Sequence, residues 1–239
     1  MEAGKAPGSA AKKTRKPREQ EALPDFPISF GGERLRLLPS RCAYWPARRT
    51  LLLADAHLGK TETFAAHGIA LPAGMLERLL ETLGNAIRSS GASRVIVVGD
   101  WLHAPAGLTE TLVETVRAWR AGIRAEIVVV PGNHDRKIET VADVWDLGVV
   151  DGCFRDGALS FCHMPEDADP SQPTICGHIH PVVVMATSAD ALKLPSFVVD
   201  PMRMLLPAFN TFTAGVRVPR RPERSFFAIG AGEVWALRS

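Results

Sequence analysis

The chain has 239 residues, of which 46% are hydrophobic and 23% charged, with a mean hydropathy of +0.03. That composition excludes a wholly disordered chain, and the length can bury a full core without disulfide staples. No apolar run approaches the roughly 20 residues of a membrane-spanning helix, and the N-terminus lacks the apolar stretch of a signal peptide. The four cysteines, Cys42, Cys153, Cys162 and Cys176, form no C-x-x-C pair. Free thiols and a cytoplasmic location are therefore expected. The net charge of +2 says nothing about partners.

Taken in chain order, residues 1–22 set Lys5, Lys12, Lys13, Arg15, Lys16 and Arg18 against Glu2, Glu19 and Glu21. Between Met1 and Leu23 there is no large apolar residue, so this segment reads as a disordered basic tail. It is either solvated or an arm that adds phosphate contacts without sequence choice. A single domain is expected over 23–239. Ile28–Phe30 and Arg34–Leu38 alternate around Gly31-Gly32 and predict a hairpin. Thr50–Ala54, Arg94–Val98 and Glu126–Val130 predict buried strands. Between them, Gly74–Ser90 sets Met75, Leu79, Leu80, Leu83 and Ile87 on one helical face. Leu108–Ala121 does the same with Leu108, Leu112, Val116 and Trp119. Strands alternating with helices predict a parallel sheet core. After residue 150 the pattern turns mostly to short strands: Ala158–His163, Thr174–Cys176, Val182–Ala186, Phe197–Val199, Gly215–Val218, Phe226–Ile229 and Val234–Leu237.

Polar residues gather where those strands end. The clusters are Asp55/His57, Asp100/His103, Asn133/His134/Asp135, His163 and His178/His180, and they hold six of the seven histidines. Side chains at the C-terminal ends of strands in an α/β sheet converge on one crevice. Carboxylate, imidazole and amide oxygen together suit divalent Mn, Fe or Zn. In an extended segment Asp55 and His57 would share a face, as would His178 and His180, because the strand period is two. A carboxylate such as Asp100 can bridge two ions and so help to activate water and clamp a phosphoryl oxygen.

The ordered set D-x-H, G-D-x-x-H, G-N-H-D, H and G-H-x-H resembles the calcineurin-like metallophosphoesterases over residues 50–181. The resemblance implies a four-layer α/β/β/α sandwich around a dinuclear centre. By that likeness Asp55, His57 and His180 hold the first metal, Asn133, His163 and His178 the second, and Asp100 bridges them. The ions implied are Mn above all, with Fe, Zn or Ni as alternatives. His134 would stabilise the transition state or protonate the leaving oxygen, with Asp135 orienting its ring. The protein phosphatase branch has Asp-Arg where this chain has His103-Ala104, which removes a grip on phosphomonoesters. His103 is then either a substrate contact or a packing residue.

LLLADAHLGK, GDWLH, PGNHDR, GHIHP and LPAFNTFTAG are similar to the bacterial ligase-associated DNA damage response endonuclease family. That likeness implies nucleic acid as substrate and a functional link to a DNA ligase, a helicase and an exonuclease. The alternatives are a phosphatase or phosphodiesterase for a small or cyclic nucleotide, and a non-catalytic binding module on the same fold. Lys60 and Arg136 either reach substrate phosphate or are surface charges. Trp101 walls the site or packs, and Arg217–Arg224 is a solvated turn or a guide for a polyanion. His67 has no assigned role. Cys162 and Cys176 alternate away from the metal face and are expected in the core.

Overall fold

The computed structural model describes Met1 and residues 25–186 and 191–237. Apart from Met1, the tail expected over 1–22 lies outside the described residues. The opening hairpin forms as β1 (Phe26–Phe30) and β2 (Glu33–Leu37), with Phe30 opposite Glu33. Its turn residues, Gly31 and Gly32, have φ of 57° and 81°, the left-handed pair that a tight two-residue hairpin turn requires. There follow β3 (Ala43–Trp45), β4 (Thr50–Leu53), β5 (Arg94–Val98), β6 (Glu126–Val130) and β7 (Gly148–Val149). These seven strands form one sheet in chain order. Pairing is parallel only from β4 to β7 and antiparallel from β1 to β4, so the parallel core expected from the sequence is half of a mixed sheet. Short turns join the first four strands, whereas a parallel pair needs a crossover long enough for a helix.

The helices are α1 (Lys60–Ala66), α2 (Met75–Ser90), α3 (Glu110–Ala121) and α4 (Glu139–Ala142). The Thr109 side chain accepts a hydrogen bond from Leu112 N at 3.2 Å, so α3 begins two residues later than its apolar pattern predicts. Leu80, Leu83 and Ile87 of α2 and Leu112 and Val116 of α3 pack on Leu51, Leu53, Val95 and Val97 of the sheet. Because Leu83 is fully buried there, Leu83→Ala should destabilise the fold by about 2–5 kcal/mol. The check is a lower urea midpoint at unchanged slope.

The second half builds β8 (Phe154–Asp156), β9 (Leu159–Cys162), β10 (Thr174–Cys176), β11 (Pro181–Ala186), β12 (Ala191–Val199), β13 (Arg203–Leu205), β14 (Val216–Arg217), β15 (Ser225–Gly230) and β16 (Glu233–Leu237). They make a second, nine-stranded sheet in which β9, β10 and β13 run parallel. Period-two alternation sends Phe161, Ile175, Phe197 and Phe227 inward against Leu52, Ile96, Val98 and Val130 of the first sheet. The neighbouring Cys162, Cys176, Val198 and Phe226 point outward, under Val183, Leu194 and Val218. The two packed sheets of the α/β/β/α sandwich that the resemblance implies are thus present. Among the described residues no α-helix follows α4.

One expectation is corrected. Cys42 and Cys176 are free and buried, but Cys153 and Cys162 form a disulfide. The β8–β9 hairpin pairs Phe154 with Phe161, so the residues one step further out face each other across it. The bond weakens the case from composition for a reducing compartment. Among the described residues no helix is long and apolar enough to cross a membrane.

Candidate metal centre

The loops after β4 and β5 stay paired beyond the strands. Asp55 N donates to Gly99 O at 3.1 Å, His57 N to Asp100 O at 2.9 Å, and Leu58 N to Trp101 O at 2.7 Å. Asp55 and His57 are thereby held against Asp100. From the second sheet, Gly177 N donates to His163 O at 3.1 Å. His178 N donates to the Asp55 carboxylate at 3.1 and 3.2 Å, tying the β10 loop to the β4 loop. Asp55, His57, Asp100, His178 and His180 all have positive φ, between 47° and 66°. The members of each pair therefore converge through left-handed backbone and not through strand alternation, which corrects the geometric argument made from the sequence. Such strain in non-glycine residues collects at functional sites. Gly99 makes the close approach possible: a Cβ there would lie 1.7 Å from His163 Nδ1.

Two groups of ligand-type side chains result, Asp55–His57–His180 and Asp100–His163–His178, each with its donor atoms within 4.8 Å of one another. His163 Nε2 is 3.5 Å from Asp100 Oδ1 and 3.1 Å from Asn133 Oδ1, and His178 Nδ1 is 3.2 Å from His163 Nε2. His180 Nε2 is 3.4 Å from Asp55 Oδ1, and His57 Nε2 is 3.9 Å from Asp100 Oδ2. Asp100 thus faces both groups. Asp55, His57, Asp100 and His163 are buried, His178 and His180 half-buried, and Asn133 exposed at the open side.

Burial, followed by the neighbouring His180, Lys60, His103 and His134, pushes the His57 pKa down to about 2. Burial also lowers His180, but the Asp55 carboxylate outweighs it and the pKa ends above its ordinary value. Burial raises Asp100 despite His163. His57 Nδ1, His163 Nδ1 and His180 Nε2 are buried without hydrogen-bond partners among the described residues. Imidazoles with orphaned nitrogens beside carboxylates are a donor set that fits divalent cations.

His134 stands beside this floor, its ring edge-on to His57 at 5.2 Å and stacked on His103 at 5.4 Å. Its Nδ1 lies 2.5 Å from His103 O. A carbonyl only accepts, so Nδ1 carries the proton and Nε2 is the nitrogen left to act. Asp135, expected to orient that ring, is placed elsewhere. Its carboxylate accepts from Leu102 N at 2.7 Å, Gly132 N at 2.8 Å and Trp101 N at 3.2 Å, clamping the β6 loop to the β5 loop. Burial pushes its pKa up to about 6 against the pull of those amides. His103 therefore supplies the orienting carbonyl, and its own ring lies between His134 and Phe64. His57, His103 and His134 form a third close group of ring nitrogens.

Lys60 opens α1 near the centre, with Nζ 3.3 Å from Thr213 Oγ1. Arg136 is exposed on the His134 loop. Trp101 is fully buried in the helix-side core and packs. Arg224 is held by Asp200 at 2.6 and 2.7 Å, which removes it from any guiding stretch. His67 caps α1 away from the centre, its Nδ1 2.7 Å from Thr63 O. The sequence reading gave no role to Asn210, which is 5% exposed. Its Nδ2 donates to Ala56 O at 2.9 Å and its N to Asp55 O at 3.2 Å. A lone amide inside the apolar LPAFNTF run was the available signal.

The calcineurin-like phosphoesterase family model matches residues 48–194, and the chain belongs to that family. It is a metal-dependent phosphoester hydrolase. Among solved structures it is similar to a nuclease MPE of Pseudomonas putida, with 33% identity and a TM-score of 0.78 over 89% of this chain and 100% of that one. It also matches YfcE, a phosphoesterase from E. coli, at 14% identity and TM-score 0.40 over 76% and 88% of the two chains. A Vps29 double mutant from Entamoeba histolytica follows at 14% identity and TM-score 0.32, over 80% and 97%. No curated protein matches.

Proposed function

We propose that the protein is a phosphodiesterase of nucleic acid, an endonuclease with DNA as the favoured substrate, working with two divalent ions, Mn above all. The observation that carries this reading is the pair of ligand groups meeting at Asp100 beside the His134 ring. The likeness to a protein described as a nuclease supports the nucleic-acid substrate. Asp55, His57 and His180 would hold one ion, Asn133, His163 and His178 the other, and Asp100 both. Bound there, such a pair activates water and clamps a phosphoryl oxygen. The chain's own residues do the rest. The buried floor keeps bulk water from the back of the site, and the Asn133 edge admits the strand. His134, with Nδ1 held by the His103 carbonyl, presents Nε2 to bind the reacting phosphate or give a proton to the leaving oxygen. Motif likeness to ligase-associated endonucleases supports a place in DNA repair beside a ligase, a helicase and an exonuclease.

With added Mn, bis-p-nitrophenyl phosphate should turn over in preference to the monoester, and single-stranded DNA should be cut. Chelation should abolish both activities and Mn should restore them, with metal content followed by elemental analysis. Monoester preference without cleavage of nucleic acid would overturn the reading.

A further inference from the structure

A pocket of about 230 Å³ adjoins the centre, with His57 in its lining. Nothing assigned so far uses it. It is smaller than the roughly 300–1,000 Å³ of pockets that enclose drug-sized ligands, so it suits one planar ring system and not a base pair. Met75, Leu76 and Leu79 of α2 give it an apolar wall, and Phe209 and Phe212 come from the segment after β13. Phe212 is 45% exposed, the one phenylalanine among the exposed large hydrophobic side chains of the described residues.

The backbone that carries this ring is held in place. Phe212 N donates to Asn210 Oδ1 at 2.8 Å, and Asn210 Nδ2 donates at 2.9 Å to the carbonyl of Ala56, which lies between Asp55 and His57. The segment that carries Phe212 is thereby tied to the segment that carries Asp55 and His57. Lys60 and Arg78 line the pocket as well, so two cations and one carboxylate, Glu62, stand among its apolar side chains.

We propose that this pocket takes one unpaired nucleobase, from a nucleotide adjoining the phosphodiester at the metal centre. The base stacks on Phe212, and Lys60 lies beside the strand's backbone. The inference rests on the nuclease reading above and deepens it. Because His57 belongs to both sites, an occupant of the pocket is a near neighbour of the bond being cut. Every base has a π-face, so an aromatic platform binds without choosing sequence. A base inside a duplex must be unstacked and unpaired to enter, which makes single strands the better substrate.

The test uses a single-stranded hexanucleotide whose one cleavable linkage is a central phosphodiester, the others being methylphosphonates. It is compared with two analogues lacking the base on the 5′ or the 3′ side of that linkage. With Mn, the wild-type kcat/KM should fall for one abasic analogue by roughly 5- to 150-fold, the range that base–aromatic stacking provides. Phe212→Ala should bring the ratio of parent to that analogue close to one, chiefly through KM for the parent. Leu76→Trp, which fills the pocket from α2, should do the same. Equal cleavage of parent and both analogues by wild type would overturn the pocket assignment while leaving the nuclease reading in place. So would an undiminished ratio in both variants. No cleavage of any diester would remove the nuclease reading and this inference with it.

Discussion

Asp100→Ala is expected to strip the centre of metal and to lower kcat/KM for a phosphodiester by about 10³-fold, several kcal/mol of lost transition-state stabilisation. The expectation comes from geometry. Asp100 Oδ2 looks toward His57 of one ligand group and Oδ1 toward His163 of the other, so one truncation weakens both. Its Oδ1 also accepts from His134 N at 3.0 Å, which links the bridging position to the β6 loop. The backbone needs a control, because Asp100 has φ of 47° and alanine tolerates that region less well than aspartate or asparagine. Asp100→Asn keeps the tolerant backbone and an acceptor for His134 N while removing the charge. Both variants should retain less than half of the wild-type metal by elemental analysis. Full metal content in Asp100→Asn would show that the site depends on the shape of this residue and not on its charge.

What was legible in the sequence was the order of polar clusters after apolar runs, because the C-terminal ends of β4, β5, β6, β9 and β10 all open on the same crevice. The strands Thr50–Leu53, Arg94–Val98 and Glu126–Val130 were equally plain, since each is buried along most or all of its length. Three kinds of feature were not legible. Strands of two or three residues, such as β3, β7 and β13, are too short to show a period. The left-handed backbone at Asp55, His57, His178 and His180 was hidden because Asp and His, though enriched there, are as common in extended and loop backbone, so the right pairs were found for the wrong geometric reason. Contacts to backbone were invisible too. The partners of Asp135 are amides of Trp101 and Leu102, more than thirty residues earlier in the chain, and an amide has no residue type to search for. The Cys153–Cys162 bond was hidden in the same way, by a hairpin register that becomes evident only when Phe154 is seen opposite Phe161.

The adjacent residues His134 and Asp135 should separate cleanly. His134→Ala is expected to keep metal content and melting temperature near wild type and to lower kcat by roughly 10²- to 10⁴-fold, the contribution of a positioned acid–base group. Its ring touches other imidazoles and a carbonyl, and no fold-bearing contact depends on it. Asp135→Ala has the opposite character. It leaves three amide donors, those of Gly132, Trp101 and Leu102, without their acceptor, and each unpaired buried donor costs about 1–3 kcal/mol. The β5 and β6 loops lose their clamp, and those loops carry Asp100 and Asn133. Asp135→Ala should therefore melt several degrees lower and bind less metal, with activity lost as a consequence. Asp135→Asn, which keeps one acceptor oxygen, should recover part of both. If Asp135→Ala instead proved as stable and as metal-replete as wild type, with only kcat reduced, the carboxylate would be acting on the neighbouring imidazole, and the clamp would not be its function.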